Sequence, residues 1–104
     1  MPRYYSAKTD HNQPEIAEAF RRHGWYVLPI HRIKNACDLM ISRRFSHGKV
    51  TVAVEVKNGS LPPSARKLSD GESTFRDNWQ GHWRLVESIE DVLTIHNEFM
   101  TEPQ

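Results

Sequence analysis

The stretch VTVAVEVK, from Val50 to Lys57, alternates strictly between two kinds of residue. Successive side chains of a β-strand point to opposite faces of the sheet, so this pattern predicts a strand with one face made of valines. The opposite face then carries Glu55 and Lys57 side by side, because residues two apart on a strand share a face. Any fold of this chain must bury the valines while it accommodates a carboxylate and an ammonium on the other side of the same strand.

Periodicity and turn residues around this strand predict an α/β domain. The predicted elements are a helix over 13–23, strands over 25–30, 37–42 and 50–57, a helix over 70–79, a strand over 82–86 and a helix over 89–99. A hairpin connection over 43–49 joins the second and third strands. The order is therefore a helix, a three-stranded meander, a helix, a strand and a C-terminal helix.

Capping residues support the helix boundaries. Asn12 is the expected N-cap of the first helix and Gly24 its C-cap. Ser69 and Glu72 have the spacing of a capping box at the second helix, which Gly81 is expected to close.

The last helix is expected to begin after a Ser88 cap. The predicted buried face of this helix consists of four apolar residues: Ile89, Val92, Ile95 and Phe99. His96 is expected on its surface.

Length and composition predict one soluble domain. The chain has 104 residues, which suits a single compact domain over 11–100, with a flexible arm over 1–10 and a tail over 101–104. The sequence contains no apolar run near the roughly 20 residues that span a bilayer, and no secretory signal. With a single cysteine, Cys37, an internal disulfide is excluded and a zinc site is not expected. The expected location is the cytoplasm.

The charges are distributed unevenly along the chain. Residues 1–67 contain 12 Lys or Arg and 5 Asp or Glu, whereas residues 68–104 contain 2 and 8. Such asymmetry suits a polyanionic partner on one side of the protein, although a simply solvated surface explains it equally well.

Asp38 turns the Glu55–Lys57 pair into a candidate site. In an antiparallel hairpin the start of one strand lies beside the end of the next, so Asp38 is expected near Glu55 and Lys57. Two close carboxylates repel unless a cation lies between them, and oxygen ligands favour Mg²⁺ or Mn²⁺. A nearby lysine can orient an attacking water or stabilise charge on a phosphate. These are the requirements of metal-assisted phosphodiester hydrolysis.

The ordered motifs resemble those of the PD-(D/E)XK nuclease superfamily, and specifically of small phage-type members of the virus-type replication-repair nuclease (VRR-NUC) group. The resemblance covers roughly residues 11–96. The matching residues are Asn12-x-x-Glu15-Ile16, Cys37-Asp38, Glu55-Val56-Lys57-Asn58-Gly59, Pro63-Ser64 with Lys67-Leu68, then Phe75, Trp79 and Gly81, and finally Val86 to Asp91. One departure is Cys37, where the family often has proline.

The resemblance implies a restriction-endonuclease-like fold with a mixed sheet, and a role for each motif residue. Asp38 and Glu55 would be metal ligands, together with the main-chain carbonyl of Val56. Lys57 would be the catalytic lysine. Glu15 would be the acid that the family places on its first helix and that reaches the metal directly or through water.

The implied activity is a metal-dependent DNA endonuclease that is selective for branched or flapped DNA in phage or prophage replication or repair. It would act in a bacterial or phage-infected cell. A homodimer is expected as well, because one small domain offers little surface for a branched substrate and a symmetric pair could cut two strands. Basic and polar residues near the predicted site are candidates for DNA contact: Arg32, Lys34, Arg43, Arg44, Ser64, Arg66 and Lys67. Two alternatives stay open at this point, a catalytically inactive nucleic-acid-binding module with the same fold and a structural protein in which Glu55 and Lys57 form only a salt bridge.

Overall fold

The structure, a computed structural model, describes residues 12–101 as one α/β unit. Its elements are α1 (Gln13–Arg22), β1 (Tyr26–Pro29), β2 (Leu39–Phe45), β3 (Gly48–Val56), α2 (Asp70–Asn78), β4 (His82–Val86) and α3 (Ile89–Met100). A short 3₁₀ turn, Pro63–Ala65, precedes α2. This order of elements confirms the predicted one. The predicted arm over 1–10 lies outside the described residues, as does the tail beyond residue 101.

The four strands form one mixed sheet in the order β1-β2-β3-β4. β1, β2 and β3 are an antiparallel meander, whereas β4 lies parallel to β3. A parallel neighbour requires a crossover connection, and the segment that contains α2 provides it. The sheet therefore has two distinct faces, one covered by α1 and α3 and the other next to α2.

The β2–β3 hairpin is longer than predicted. Phe45 pairs with Gly48, so only Ser46 and His47 remain in the turn. The predicted connection over 43–49 was wrong because Phe45 is buried on the core face and packs edge-on against Trp25. Gly48 has a φ of +140°, which favours glycine at this tight turn.

The core lies between the valine face of the sheet and the two helices α1 and α3. All four alternating valines are buried, as predicted. Ile16 and Phe20 contribute the buried face of α1, and Val92, Ile95 and Phe99 that of α3. These apolar groups form one continuous cluster. Its burial is the main favourable term that holds the helices on this face.

The helix ends agree with the predictions at three positions and differ at two. Gly24 follows α1 with a φ of +89°, and the Ser69–Glu72 capping box and the Ser88 cap both form. Asn12, however, makes no cap hydrogen bond, because its backbone is helical rather than extended, and its side-chain Nδ2 donates to carbonyls beyond the ends of β3 and β4. Gly81 does not close α2, which ends at Asn78.

Two expectations for α3 were wrong. Ile89 is 41% exposed and lines a surface pocket with Asn12 and Glu15, whereas His96 is only 7% exposed. His96 is buried because its Nδ1 accepts a hydrogen bond of 3.1 Å from the indole Nε1 of Trp25. Within residues 12–101, no helix combines the length and apolar character that crossing a bilayer requires.

Candidate metal and catalytic site

Asp38 immediately precedes β2 and lies between the end of β1 and the end of β3. Its backbone N–H donates to the Val54 carbonyl at 3.0 Å, and its own carbonyl accepts from Ile30 N–H at 2.8 Å. Its carboxylate Oδ2 accepts from the backbone N–H of Val56 at 2.8 Å. Three hydrogen bonds to neighbouring strands therefore hold Asp38 beside the end of β3, as the hairpin geometry predicted.

Glu55 is the most deeply buried acid among the described residues, with 3% of its surface exposed. Burial, together with the charge and hydrogen bond of Asp38 and those of Glu72, raises the pKa of its carboxyl to about 10. Desolvation disfavours the charged form, and two nearby carboxylates add like-charge repulsion. Glu55 is therefore protonated at neutral pH when nothing else neutralises the site.

Lys57 lies on the same face of the sheet and joins the site to α2. Its Nζ is 3.8 Å from Glu55 Oε2 and 2.9 Å from Glu72 Oε1. Glu72 Oε1 also accepts from Ser69 N–H at 2.8 Å, which is one half of the capping box. Burial pushes the Glu72 pKa upward, but the Ser69 N–H and the partners Lys57 and Glu55 outweigh this, so its pKa lies below the usual value.

The charges of these four groups suit a divalent cation. Asp38, Glu55 and Glu72 carry three carboxyl groups against one ammonium from Lys57. When Glu55 is protonated, two negative charges face one positive charge. With all three carboxyls ionised, a divalent cation and the ammonium together balance the charge. Loss of the Glu55 proton would leave a third carboxylate, whose oxygens are of the kind that bind Mg²⁺ or Mn²⁺.

The observed cluster is a chain of carboxyl groups with Glu55 in the middle, rather than a preformed metal cage. Between residues 12 and 101, no group of three or more His, Cys, Asp or Glu side chains is arranged as a metal site. Val56 contributes its N–H to Asp38, and the ligand role of its carbonyl remains a prediction.

Glu15 is exposed on the first turn of α1 and lines a neighbouring pocket of about 460 Å³ with Asn12, Asn58 and Ser60. The acids that contribute most to the raised Glu55 pKa are Asp38 and Glu72. The amide of Asn12 nevertheless donates to the Lys57 carbonyl at 3.0 Å, so the start of α1 adjoins the end of β3. The role of Glu15 at the metal remains a prediction.

The predicted DNA-contacting residues fall into two groups. Arg43 and Arg66 are engaged in the fold: Arg43 Nε donates to the His23 carbonyl at 2.7 Å, and Arg66 Nη1 pairs with Glu87 at 3.0 Å. The others are exposed, and none of their basic side chains makes an ion pair with a residue of the described segment: Arg32, Lys34, Arg44, Ser64 and Lys67.

The exposed residues are also divided by position. Arg32 and Lys34 belong to the β1–β2 connection, in which Asn35 lies against Gly71 at the start of α2. Ser64 and Lys67 belong to the connection between β3 and α2, so these four residues lie toward the site end of the sheet. Arg44 lies at the opposite, hairpin end, where it pairs with Lys49.

Cys37, next to Asp38, is not suited to nucleophilic chemistry. It is buried, and burial raises the pKa of its thiol to about 11, so the thiol stays protonated. Its Sγ donates to the Leu39 carbonyl at 3.3 Å. This agrees with the predicted packing role.

Glu72 is the site residue that sequence reasoning missed. The capping box was recognised, but only as a helix end. One sequence signal pointed to it. A capping-box glutamate folds back over the N-terminus of its helix, and this helix follows the Glu55–Lys57 strand after a single loop, so Glu72 could be expected near the site. The position of that loop depends on contacts such as the hydrogen bond from Gly59 N–H to the Glu87 carbonyl at 3.1 Å, which no local pattern specifies.

No protein-family model matches this chain, and no curated protein or solved structure shows significant similarity to it. The family resemblance therefore rests on the ordered sequence motifs alone.

Proposed function

We propose that this protein is a Mg²⁺- or Mn²⁺-dependent DNA endonuclease of the PD-(D/E)XK type, with Asp38, Glu55 and Lys57 at its centre. The observation that carries the proposal is the buried Glu55 carboxyl, which lies between the carboxyl groups of Asp38 and Glu72 and 3.8 Å from the Lys57 ammonium. A buried acid with a strongly raised pKa, next to a specific charged partner, is a recurrent property of functional sites. A purely structural strand has no need of such a group, because an apolar side chain would fill the same volume at lower cost.

Asp38 and Glu55 would hold the cation through carboxylate oxygens, with the Val56 carbonyl as a further ligand. When bound, the cation would activate water for attack on a phosphodiester and neutralise charge on the phosphate oxygens. Asp38 needs little reorganisation for this role, because the Val56 N–H and its backbone hydrogen bonds already fix its position.

Lys57 would act on the scissile phosphate or on the attacking water. Its ammonium is held beside Glu55 by the 2.9 Å contact with Glu72. A fixed ammonium of this kind can orient a water by hydrogen bonding and stabilise the negative charge that develops on phosphate oxygens. Glu72 would be a positioning residue, since it holds Lys57 from the start of α2.

A non-catalytic nucleic-acid-binding module is the second candidate. The observation in its favour is that Lys57 lies closer to Glu72 than to Glu55, so the ammonium already has an anionic partner. This candidate predicts DNA binding without hydrolysis.

Cleavage of branched, flapped and linear DNA with Mg²⁺ or Mn²⁺ tests the proposal. We expect cleavage by the unaltered protein and a loss of at least about 100-fold with Asp38→Asn or Lys57→Ala. Arg22→Ala removes an exposed cation from the outer face of α1 and is the matched control, which should cleave normally. Cleavage that both site variants retain, or no cleavage of any substrate, would contradict the proposal, and binding without cleavage would support the second candidate.

A further inference from the structure

The face of the sheet that carries Glu55 continues away from the site as an open surface. The β1–β2–β3 register places Leu28, Met40 and Ala53 in one cross-strand row, and Tyr26, Ser42 and Thr51 in the next. Ala53 and Glu55 are two apart on β3, so both rows lie on the face of Glu55. We call five residues of these rows the open face: Tyr26, Leu28 and Thr51 are exposed, and Met40 and Ser42 are half-buried.

Two of its side chains are unusually exposed for their type. Tyr26 is 69% exposed and Leu28 is 47% exposed. α1 and α3 pack on the other side of the sheet, and α2, which contributes no buried residue, lies toward β4, where Arg76 stacks over Trp83 at 5.9 Å. Contiguous exposed apolar groups usually mark an interaction surface.

The charges along the open face favour an anionic partner. The sheet residues of this face beyond Glu55 include no acid, and the row at the hairpin end pairs Arg44 with Lys49. Neither of these two cations forms an ion pair with another residue in the 12–101 segment. The surface therefore runs from the carboxylate site, across aromatic and apolar groups, to a pair of cations.

The spacing of the rows suits a short stretch of polynucleotide. Thr51, in the row of Tyr26, is four residues from Glu55, which corresponds to about 14 Å along a strand, or about four stacked nucleotides. The Arg44–Lys49 row lies one step further. In a duplex the base faces are stacked on one another, whereas in a single strand they are available to stack on an exposed aromatic ring.

We propose that the open face binds a single-stranded DNA segment that leads into the Asp38–Glu55–Lys57 site, with Tyr26 stacking on a base and Arg44 and Lys49 contacting phosphates. The inference deepens the proposed function, because it names a single-stranded arm as the part of the substrate that the protein recognises.

Fluorescence anisotropy in EDTA tests this binding without hydrolysis. The probes are a labelled single strand of about 15 nucleotides and a blunt duplex of the same sequence. Tyr26→Ser should weaken single-strand binding at least about fivefold, the loss expected when one stacked base is released, and should affect duplex binding much less. Tyr26→Phe, which keeps the ring, should bind like the unaltered protein. Leu93→Ser, on an exposed position of α3, is the matched control and should also bind normally.

Three results would overturn the inference: no single-strand binding by the unaltered protein, unchanged binding by Tyr26→Ser, or equal loss for single strand and duplex. Light scattering adds a fourth, since a Tyr26→Ser variant that dissociates a dimer would identify the open face as an interface between copies. Failure of the proposed hydrolysis is distinguishable from all of these. It would leave Tyr26-dependent binding in EDTA intact, whereas failure of this inference would leave cleavage dependent on Lys57.

Discussion

Val54 and Glu55 are neighbours on β3, point to opposite faces of the sheet and are both almost fully buried. Val54 joins the apolar cluster that α1 and α3 cover, so its burial stabilises the fold. Glu55 must give up its charge to be buried in the same strand. Burial of Val54 therefore stabilises the folded protein, whereas burial of Glu55 costs free energy. That cost is understandable if Glu55 serves a function.

The variant Glu55→Gln, whose amide mimics the protonated carboxyl, tests most directly whether burial of Glu55 costs stability. The Glu55 pKa is about 10 in the folded protein against 4.5 for an ordinary glutamate. Its contribution to stability is therefore fully present below pH 4.5 and is lost as pH rises toward 10. At pH 7 the variant should be more stable than the unaltered protein by up to about 3 kcal/mol, with the difference vanishing near pH 4.5.

Urea unfolding at several pH values measures this difference, and cleavage should be lost in the same variant. A Glu55→Gln protein that is less stable than the unaltered one at pH 7 would show that the carboxyl contributes to the fold, and would contradict the comparison.

The matched change on the other face is Val54→Ala. It removes two buried methyl groups from a packed core, so we expect a loss of roughly 2 kcal/mol in the free energy of unfolding. Because no charge is involved, the loss should be the same at pH 5 and pH 8. Urea unfolding at both values checks it, and a loss that varies with pH would mean that the two faces are coupled.

A divalent cation should neutralise the carboxylates around Glu55 and so stabilise the folded protein. Binding to the folded state alone stabilises it by about 1.4 kcal/mol at ten times the dissociation constant. Thermal unfolding of the unaltered protein should therefore shift upward with Mg²⁺ or Mn²⁺, and more strongly at high pH, where fewer protons compete for Glu55. The shift should be absent in Glu55→Gln and retained in Val54→Ala. An equal shift in all three proteins would indicate binding elsewhere.

Two helix caps extend the comparison to the ends of α2 and α3. Glu72 and Asp91 are both N3 acids behind a serine cap, but only Glu72 also contacts Lys57. Glu72→Gln and Asp91→Asn should each cost less than about 1 kcal/mol of stability. Only Glu72→Gln should slow cleavage, by about 10-fold, as is typical when a partner that orients a site residue is lost. Equal cleavage rates for the two variants would mean that Glu72 serves only to cap α2.

Sequence patterns predicted most of this fold because the relevant signals are local. The alternation in β3, the Ser69 and Ser88 caps and the Asp38–Glu55 pairing follow from strand period, side-chain capping and hairpin geometry. The errors share a different cause. Phe45 extends β2 because it packs on Trp25, which is distant in sequence. His96 is buried for a similar reason, since Trp25 binds it across 71 positions of the chain.

The candidate site shows the same division between local and long-range information. Asp38, Glu55 and Lys57 are gathered by one hairpin and one strand period. Glu72 reaches Lys57 from a helix that follows a long loop, and this loop contacts Glu87 through Gly59 and Arg66. Glu15 depends on how α1 crosses the end of the sheet. Such placements are decided by tertiary packing, which a single sequence does not display.

The smallest expected effect concerns His96, a buried histidine on the core face. Burial lowers its pKa, and the nearby charges of His23 and Arg43 lower it further. Its contribution to stability is therefore present above pH 6.5 and is lost as pH falls through the lower folded-state pKa. This change of stability with pH is opposite in sign to that caused by Glu55.

In the Glu55→Gln background the unfolding free energy should fall between pH 7 and pH 5. A further His96→Gln change, whose side chain can still accept from Trp25, should make that fall smaller. If His96→Gln leaves the pH dependence of the unfolding free energy unchanged, another group causes the loss of stability in acid. If the pH dependence disappears, the buried groups on the two faces of the sheet respond to pH in opposite directions.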